Sequence, residues 1–175
     1  MSVIRVVSYN IHKGRSATGS RESLSDLRLG LYGLRPDLLF LQEVQGRNEL
    51  HSQLHAQHES LGAALCMNTA YGCNAVRAQT DHGNALLSRF PILEHENQDI
   101  SDHKLEQRGL LHALVGLLGA VAEPDEPYWR VSVMSLVVVL TAVTRTRSSV
   151  PTIVCPPHAR ACRFVVICPF LVIRV

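Results

Sequence analysis

Val3-Ile4-Arg5-Val6-Val7-Ser8-Tyr9 is a short, almost unbroken apolar run. It predicts a strand covered on both faces, as strands of parallel sheets are. The polar stretch from His12 to about Gly19 predicts a loop. Leu24, Leu27, Leu31 and Leu34 then recur at the spacing of one helix face,. Ser23 with Asp26 suits the start of that helix, and Pro36 stops it. Leu38-Leu39-Phe40-Leu41 predicts a second buried strand, ending at Gln42-Glu43. A second helix is predicted over Asn48 to Ser60. Asn84 to Ser88, Ile92 to Glu96 and Gly109 to Val115 read as shorter strands, the first ended by Pro91. The order is β-α-β-α followed mainly by β, which is the pattern of an α/β protein.

The alternation of character stops near residue 114. Residues 1–113 mix charges, amides, glycines and apolar runs, whereas from Pro127 to Val175 there is no Asp, Glu, Asn, Gln, Lys or Gly, and twelve of the 49 residues are Val. A folded segment of that length ordinarily uses turn formers and acidic surface groups. The chain therefore divides into a domain-like part, 1–113, and a Val/Pro/Arg-rich tail, 114–175. Its apolar segments fall short of the roughly 20 residues a bilayer span needs. Val131 to Val143, the longest in the tail, has thirteen residues and reads as a strand, so membrane association is not expected. A length of 175 residues with 46% hydrophobic and 18% charged positions suits one globular domain,. The net charge of +2 argues neither for nor against a polyanionic partner,. Five scattered cysteines fit a reducing compartment,, and the first residues lack the layout of a secretory leader. The expected location is the cytoplasm.

Candidate chemistry follows from topology. Strand 3–9, helix 23–34 and strand 38–43 form one crossover unit, which leaves its two strands parallel and close together. Asn10 and Glu43 then emerge at the same carboxyl edge, where open α/β sheets place their ligands. A carboxylate there suits Mg²⁺, a hard cation that takes oxygen ligands and retains water. An amide beside it orients a ligand without adding charge. On spacing alone, the same two residues also suit a turn and a solvated strand end.

The wording around these positions adds to that picture. Ser8-Tyr9-Asn10-Ile11-His12-Lys13-Gly14 resembles the opening motif of the endonuclease/exonuclease/phosphatase family, and Pro36-Asp37-Leu38-Leu39-Phe40-Leu41-Gln42-Glu43-Val44 resembles its second. Ala70 to Val76, His82 to Ile92 and Glu106 to His112 are similar to a bacterial branch of the family. Together these five blocks cover residues 4 to about 113 in order. The resemblance implies an α/β fold, here a partial four-layer α/β/β/α sandwich of DNase I-like type with its second half missing or rewritten. It implies hydrolysis of phosphate esters with Mg²⁺ or Mn²⁺. Family substrates include nucleic acids, inositol phosphates and phospholipids, and no particular protein partner is indicated. By motif, Glu43 is the metal-binding carboxylate, Asn10 the amide that arranges metal and phosphate, and Arg108 a basic contact to phosphate. Asn84 and Tyr71 lie in matching blocks, either on the substrate side or as a strand-end hydrogen bond and a packed aromatic. His12 either reaches the site from the first loop or is a surface histidine.

The family pattern continues with a His-Leu pair, a Gly-Asp-x-Asn motif and a closing Ser-Asp-His, and none stands in its expected place. Ser101-Asp102-His103 spells the last, but between the strand at Ile92 and the Arg108 block, where a surface connection is expected. His51, His55 and His58, at i, i+4 and i+7 of the second predicted helix, and Cys155, His158, Cys162 and Cys168 in the tail lack metal-motif spacing. A chain with these motifs absent is expected to be inactive. A frame-shifted end is one account of the tail, and a divergent native tail is the other. The nucleotide sequence separates them: the first account expects the three missing motifs in another frame after about codon 113, and their absence from both other frames would overturn it.

Overall fold

A computed structural model describes residues 5–15, 24–102 and 107–116 with their side chains, and the backbone of residues 128–133, 138–143 and 171–174. The first crossover unit forms as its pattern dictates. β1 (Arg5–Asn10) leads through a tight turn at His12–Gly14 to α1 (Leu24–Leu34) and then β2 (Leu38–Asn48). β1 and β2 pair in parallel, from Val6 opposite Leu38 to Asn10 opposite Gln42. Alternation divides the apolar residues of both strands. Val6, Leu38 and Phe40 enter one core cluster, and Val7, Leu39 and Leu41 enter another. Both faces of this sheet are therefore covered, which is why its strands are apolar throughout.

The second cluster lies under the helices. Leu24 and Leu31 of α1 are buried there with Leu61 of α2 (Gln57–Leu65), and Leu27 packs against them. Leu34, expected on the same face, is 40% exposed at the helix end. The second helix was expected over Asn48 to Ser60. Instead β2 runs on to Asn48, a short turn covers Ser52–Leu54, and α2 begins only at Gln57. The three histidines consequently share no helix face: only His58 lies in α2.

β3 (Asn68–Val76), which the apolar pattern did not reveal, forms a hairpin with β4 (Thr80–Ser88), and β4 pairs antiparallel with β2. The second sheet contains β5 (Ile92–Asp99), β6 (Gly109–Gly116), β7 (Tyr128–Val133) and β8 (Val138–Val143), in that order and antiparallel. β9 (Leu171–Arg174) pairs antiparallel with β1, so the first sheet has the order β3-β4-β2-β1-β9. The second sheet thus crosses the composition change at 113, with β7 and β8 supplied by the tail. Leu111, Ala113 and Val115 of β6 pack between the sheets with Phe40, Ala70 and Leu86. The described residues make three layers, helices on sheet on sheet, and none of their helices is long and apolar enough to cross a membrane.

Glycine lets strands and sheets approach closely at one corner. A β-carbon on Gly83 would overlap the backbone carbonyl of Gly72 on β3, and one on Gly109 would overlap the Asn74 side chain. Because the atom facing Gly83 is backbone, it has no rotamer to move into. We expect Gly83→Ala to lower stability by about 1–3 kcal/mol, the usual cost of overpacking. The urea unfolding midpoint measures this, and an unchanged midpoint would refute the close approach.

Candidate metal and phosphate site

The strand register breaks at the residue of interest. On β2, Leu41 faces Ala85 and Val44 faces Gly83, so two residues of one strand, Gln42 and Glu43, stand against one of the other, Asn84. Leu41 and Val44 both belong to the helix-side core although they are three apart. Simple alternation would have put Glu43 beneath the helices with Leu39 and Leu41. The extra residue hands that place to Val44, and Glu43 takes a left-handed backbone, φ 51°, leaving its side chain 41% exposed. β2 therefore does not end at Glu43 as its sequence suggested; it bulges there and continues. Bulges of this kind re-aim side chains beside active sites.

Asn10 and Glu43 meet. Asn10 Nδ2 donates to Glu43 Oε1 at 2.9 Å, while Asn10 Oδ1 accepts from the backbone N–H of His12 at 2.9 Å. The same amide thus holds the carboxylate and shapes the following turn. His12 Nδ1 stands 3.6 Å from Glu43 Oε2, so the second carboxylate oxygen has a neighbour but no short hydrogen bond to it. His12 and Lys13 also have left-handed backbones, φ 47° and 60°. Such conformations at non-glycine residues cost on the order of 1–3 kcal/mol each and gather at functional sites. Three of the six found among the described residues are Glu43 itself and the adjoining His12–Lys13 pair of the turn.

His82 was not singled out from sequence. It lies opposite Gln45, two residues past Glu43, a placement that emerges only from the β2–β4 pairing. Burial holds its imidazole below the ordinary histidine range, with Lys13 and Arg77 adding to that effect and Glu43 and Asp81 opposing it. At His82 the positive charges of Lys13 and Arg77 thus meet the negative charges of Glu43 and Asp81.

The remaining sequence-selected residues are distributed around this point. Asn84 is 1% exposed, and its Nδ2 donates to the Gly109 carbonyl at 2.9 Å, tying the two sheets together. Arg108 precedes that glycine on the surface, its N–H donating to Ser101 Oγ. Ser101 and Asp102 lie in the connection between β5 and β6, and His103 and the tail cysteines fall outside the residues described in full. Tyr71 donates its hydroxyl to Asp81 Oδ1 at 2.8 Å and stacks on His58, ring centroids 4.5 Å apart. Burial, followed by that hydrogen bond and the Asp81 charge, pushes the phenol far above its usual range. Structure thus joins Asn10, His12 and Glu43 directly, and places Asn84 and Tyr71 in packed hydrogen-bonded positions.

Two stacked sheets with helices outside one of them, and an acid and an amide at the carboxyl rim, define an α/β sandwich of the DNase I-like type. A sequence profile of the endonuclease/exonuclease/phosphatase family matches residues 7–155, and the chain belongs to that family. The match extends past the composition change at 113. The chain is 39% identical over 118 residues to the uncharacterized protein YbhP of Escherichia coli K12, an alignment covering 63% of this chain and 46% of YbhP. It thus spans about half the length of the curated relatives it matches. Among solved structures it resembles an endonuclease/exonuclease/phosphatase from Beutenbergia cavernae, with TM-score 0.59 and 20% identity over 68% of this chain and 36% of that one. It also resembles ANGEL2, a 2',3'-cyclic phosphatase, with TM-score 0.53 and 18% identity over 77% and 42% of the two chains. These likenesses establish the fold.

Burial holds the pKa of His58 down as well, with Glu59 and Asp81 pulling the other way and His55 adding slightly to the lowering. Unfolded histidine titrates near about 6.5, so below that pH the unfolded chain takes up more protons than the folded one. The folded state's advantage is complete above about pH 6.5 and shrinks as pH falls through the depressed folded value. We expect the urea midpoint to drop between pH 7.5 and 5.5, and His58→Phe, which keeps a ring against Tyr71, to reduce that drop. An equal drop in the variant would remove His58 from the account.

Proposed function

We propose that this chain carries the metal-anchoring half of a divalent-metal-dependent phosphoesterase site, with Glu43 as the protein carboxylate. Family membership supports phosphate-ester chemistry, and the observation that carries the reading is the Asn10–Glu43 contact at the rim. The donor set suits Mg²⁺ or Mn²⁺, since such ions are commonly held by one or two carboxylates, with water and substrate oxygens filling the other positions. Glu43 Oε2 supplies the anionic donor. The Asn10 oxygen, already accepting from His12, retains a lone pair for a ligand. A cation bound there would neutralise phosphate charge and lower the pKa of a coordinated water.

The chain's own residues bind and orient. Asn10 fixes one carboxylate oxygen, so the other is presented in a set direction. Lys13 and Arg77 supply positive potential for a phosphate, while His82, whose burial favours the neutral ring, and His12 at the carboxylate offer ring nitrogens for hydrogen bonds. Arg108, at the start of β6, is proposed as a further phosphate contact. Tyr71 and Asn84 are proposed to act by position: the first holds Asp81, and the second fastens Gly109 beside the strand that faces the bulge.

We further propose that the 175 residues alone turn over phosphate esters very slowly or not at all. Phosphoryl transfer needs an aligned nucleophile and neutralised charge together, and groups acting as a unit lose most of the rate when one is missing. The sequence contains no Gly-Asp-x-Asn motif, and among the residues described in full no three His, Cys, Asp or Glu groups gather into a metal cage. On this reading 1–113 is the family's amino-terminal portion, and 114–175 departs from it in composition while still extending the second sheet.

Calorimetric titration of Mn²⁺ into the whole chain tests the site, with Glu43→Gln expected to weaken binding by about tenfold or more. Hydrolysis of bis-(p-nitrophenyl) phosphate is expected to stay at the buffer rate. Equal Mn²⁺ affinity in both proteins would refute the ligand assignment, whereas chelator-sensitive turnover lost in Glu43→Gln would refute the inactivity.

A further inference from the structure

Gln57 opens α2 and is fully buried, 0% exposed. Buried amides are retained where both ends find partners, and here the partners lie on two different walls of the candidate site. Oε1 accepts from the backbone N–H of Gln45 at 2.9 Å, on β2 just past the bulge at Glu43. Nε2 donates to the Lys13 carbonyl at 2.8 Å, in the turn that carries His12. Gly14 completes the fit: a β-carbon there would overlap Nε2, and its φ of +72° is one that side chains disfavour,. Within the turn, Gly14 N–H donates to Ile11 O at 2.8 Å and Arg15 N–H to His12 O at 3.2 Å, beside the His12 N–H bond to Asn10 Oδ1. Two of its residues, His12 and Lys13, have left-handed backbones that need outside support,.

We propose that Gln57 is the positioning residue of the Asn10–His12–Glu43 site, its carboxamide clamping the His12–Gly14 turn against the bulged strand. This rests on the metal-anchoring reading in so far as the clamped groups are a cation site. An amide is required chemically, because one end must accept and the other donate. A carboxylate only accepts when ionised, and a thioether of similar length does neither usefully. Support of this kind, one step behind the ligand, typically governs metal affinity by 10–100-fold.

The test uses the whole chain with Gln57→Met, and with Leu61→Ala as a control on the same helix, since Leu61 is equally buried but faces the core. Two quantities are read in each: Mn²⁺ affinity by titration, and amide hydrogen exchange at Gly14 by NMR. Gln57→Met is expected to weaken Mn²⁺ binding about tenfold and to speed Gly14 exchange by about tenfold, the equivalent of one lost hydrogen bond. Leu61→Ala is expected to lower the unfolding midpoint while leaving both quantities unchanged. Unchanged Gly14 exchange in Gln57→Met overturns the proposal, and so does an equal loss in both variants, which would assign the effect to helix stability. Should Gln57→Met fail to fold, Gln57→Glu separates the two bonds. It is expected to free Gly14 while Gln45 N–H stays protected, and protection at both positions overturns the clamp. If the unaltered chain binds no Mn²⁺, the metal reading alone falls, and Gly14 exchange still decides the clamp.

Discussion

A single extra residue in β2 governs the rest of the site. Strand alternation is rigid: each step sends a side chain to the opposite face. Along Leu38–Leu41, where the sheet is covered on both sides, every side chain of β2 is buried. The bulge between Leu41 and Val44 resolves this by letting Val44 continue the helix-side core while Glu43 leaves the pleat. The left-handed backbone at Glu43 is the conformational cost of that arrangement. It is sustained because the neighbours on both sides, Leu41 and Val44, are fully buried.

Everything else near Glu43 stabilises its displaced position. Asn10 reaches it because β1 and β2 run parallel, which sets Asn10, the last residue of β1, opposite Gln42 and so next to Glu43. Gln57 reaches behind it from the start of α2, and the His12 turn closes in front. These contacts are directional and come from three separate elements, so the site behaves as a small polar assembly set on an apolar platform. Buried amides suit such work: they satisfy backbone groups of irregular segments without bringing in a charge that burial would penalise.

The corner between the two sheets follows a different principle. Gly72, Gly83 and Gly109 remove side-chain bulk, and Asn74, Asn84 and Asn97 fill the space with hydrogen bonds. Asn84 holds the Gly109 carbonyl, while Asn97 Nδ2 bonds the Cys73 carbonyl and Asn74 Oδ1. Close approach there draws the Arg108 end of β6 toward the strands that flank the bulge. Nearby, burial keeps His58 and His82 below their usual range, and Arg47 closes the β3–β4 hairpin by donating to the Arg77 and Ala78 carbonyls.

Much of this was legible in the chain itself. Apolar runs at Val3–Val7, broken only by Arg5, and at Leu38–Leu41 signalled strands covered on both faces, and a helix between them implied parallel pairing. From that alone Asn10 and Glu43 belonged at one edge. Local pattern misplaced the second helix, because Asn48, His51 and His55 belong to an extended strand and a turn whose conformations depend on long-range bonds. It missed β3, whose polar and small residues follow no apolar alternation and are held by pairing with β4. It gave no hint of His82 or Gln57, since neither stands near Glu43 or His12 in sequence. Periodicity is a property of neighbours along the chain, and so it determined which segments are buried. A bulge, a clamp or a field around a carboxylate is set by groups tens of residues apart, and only the packing of one element on another decides it.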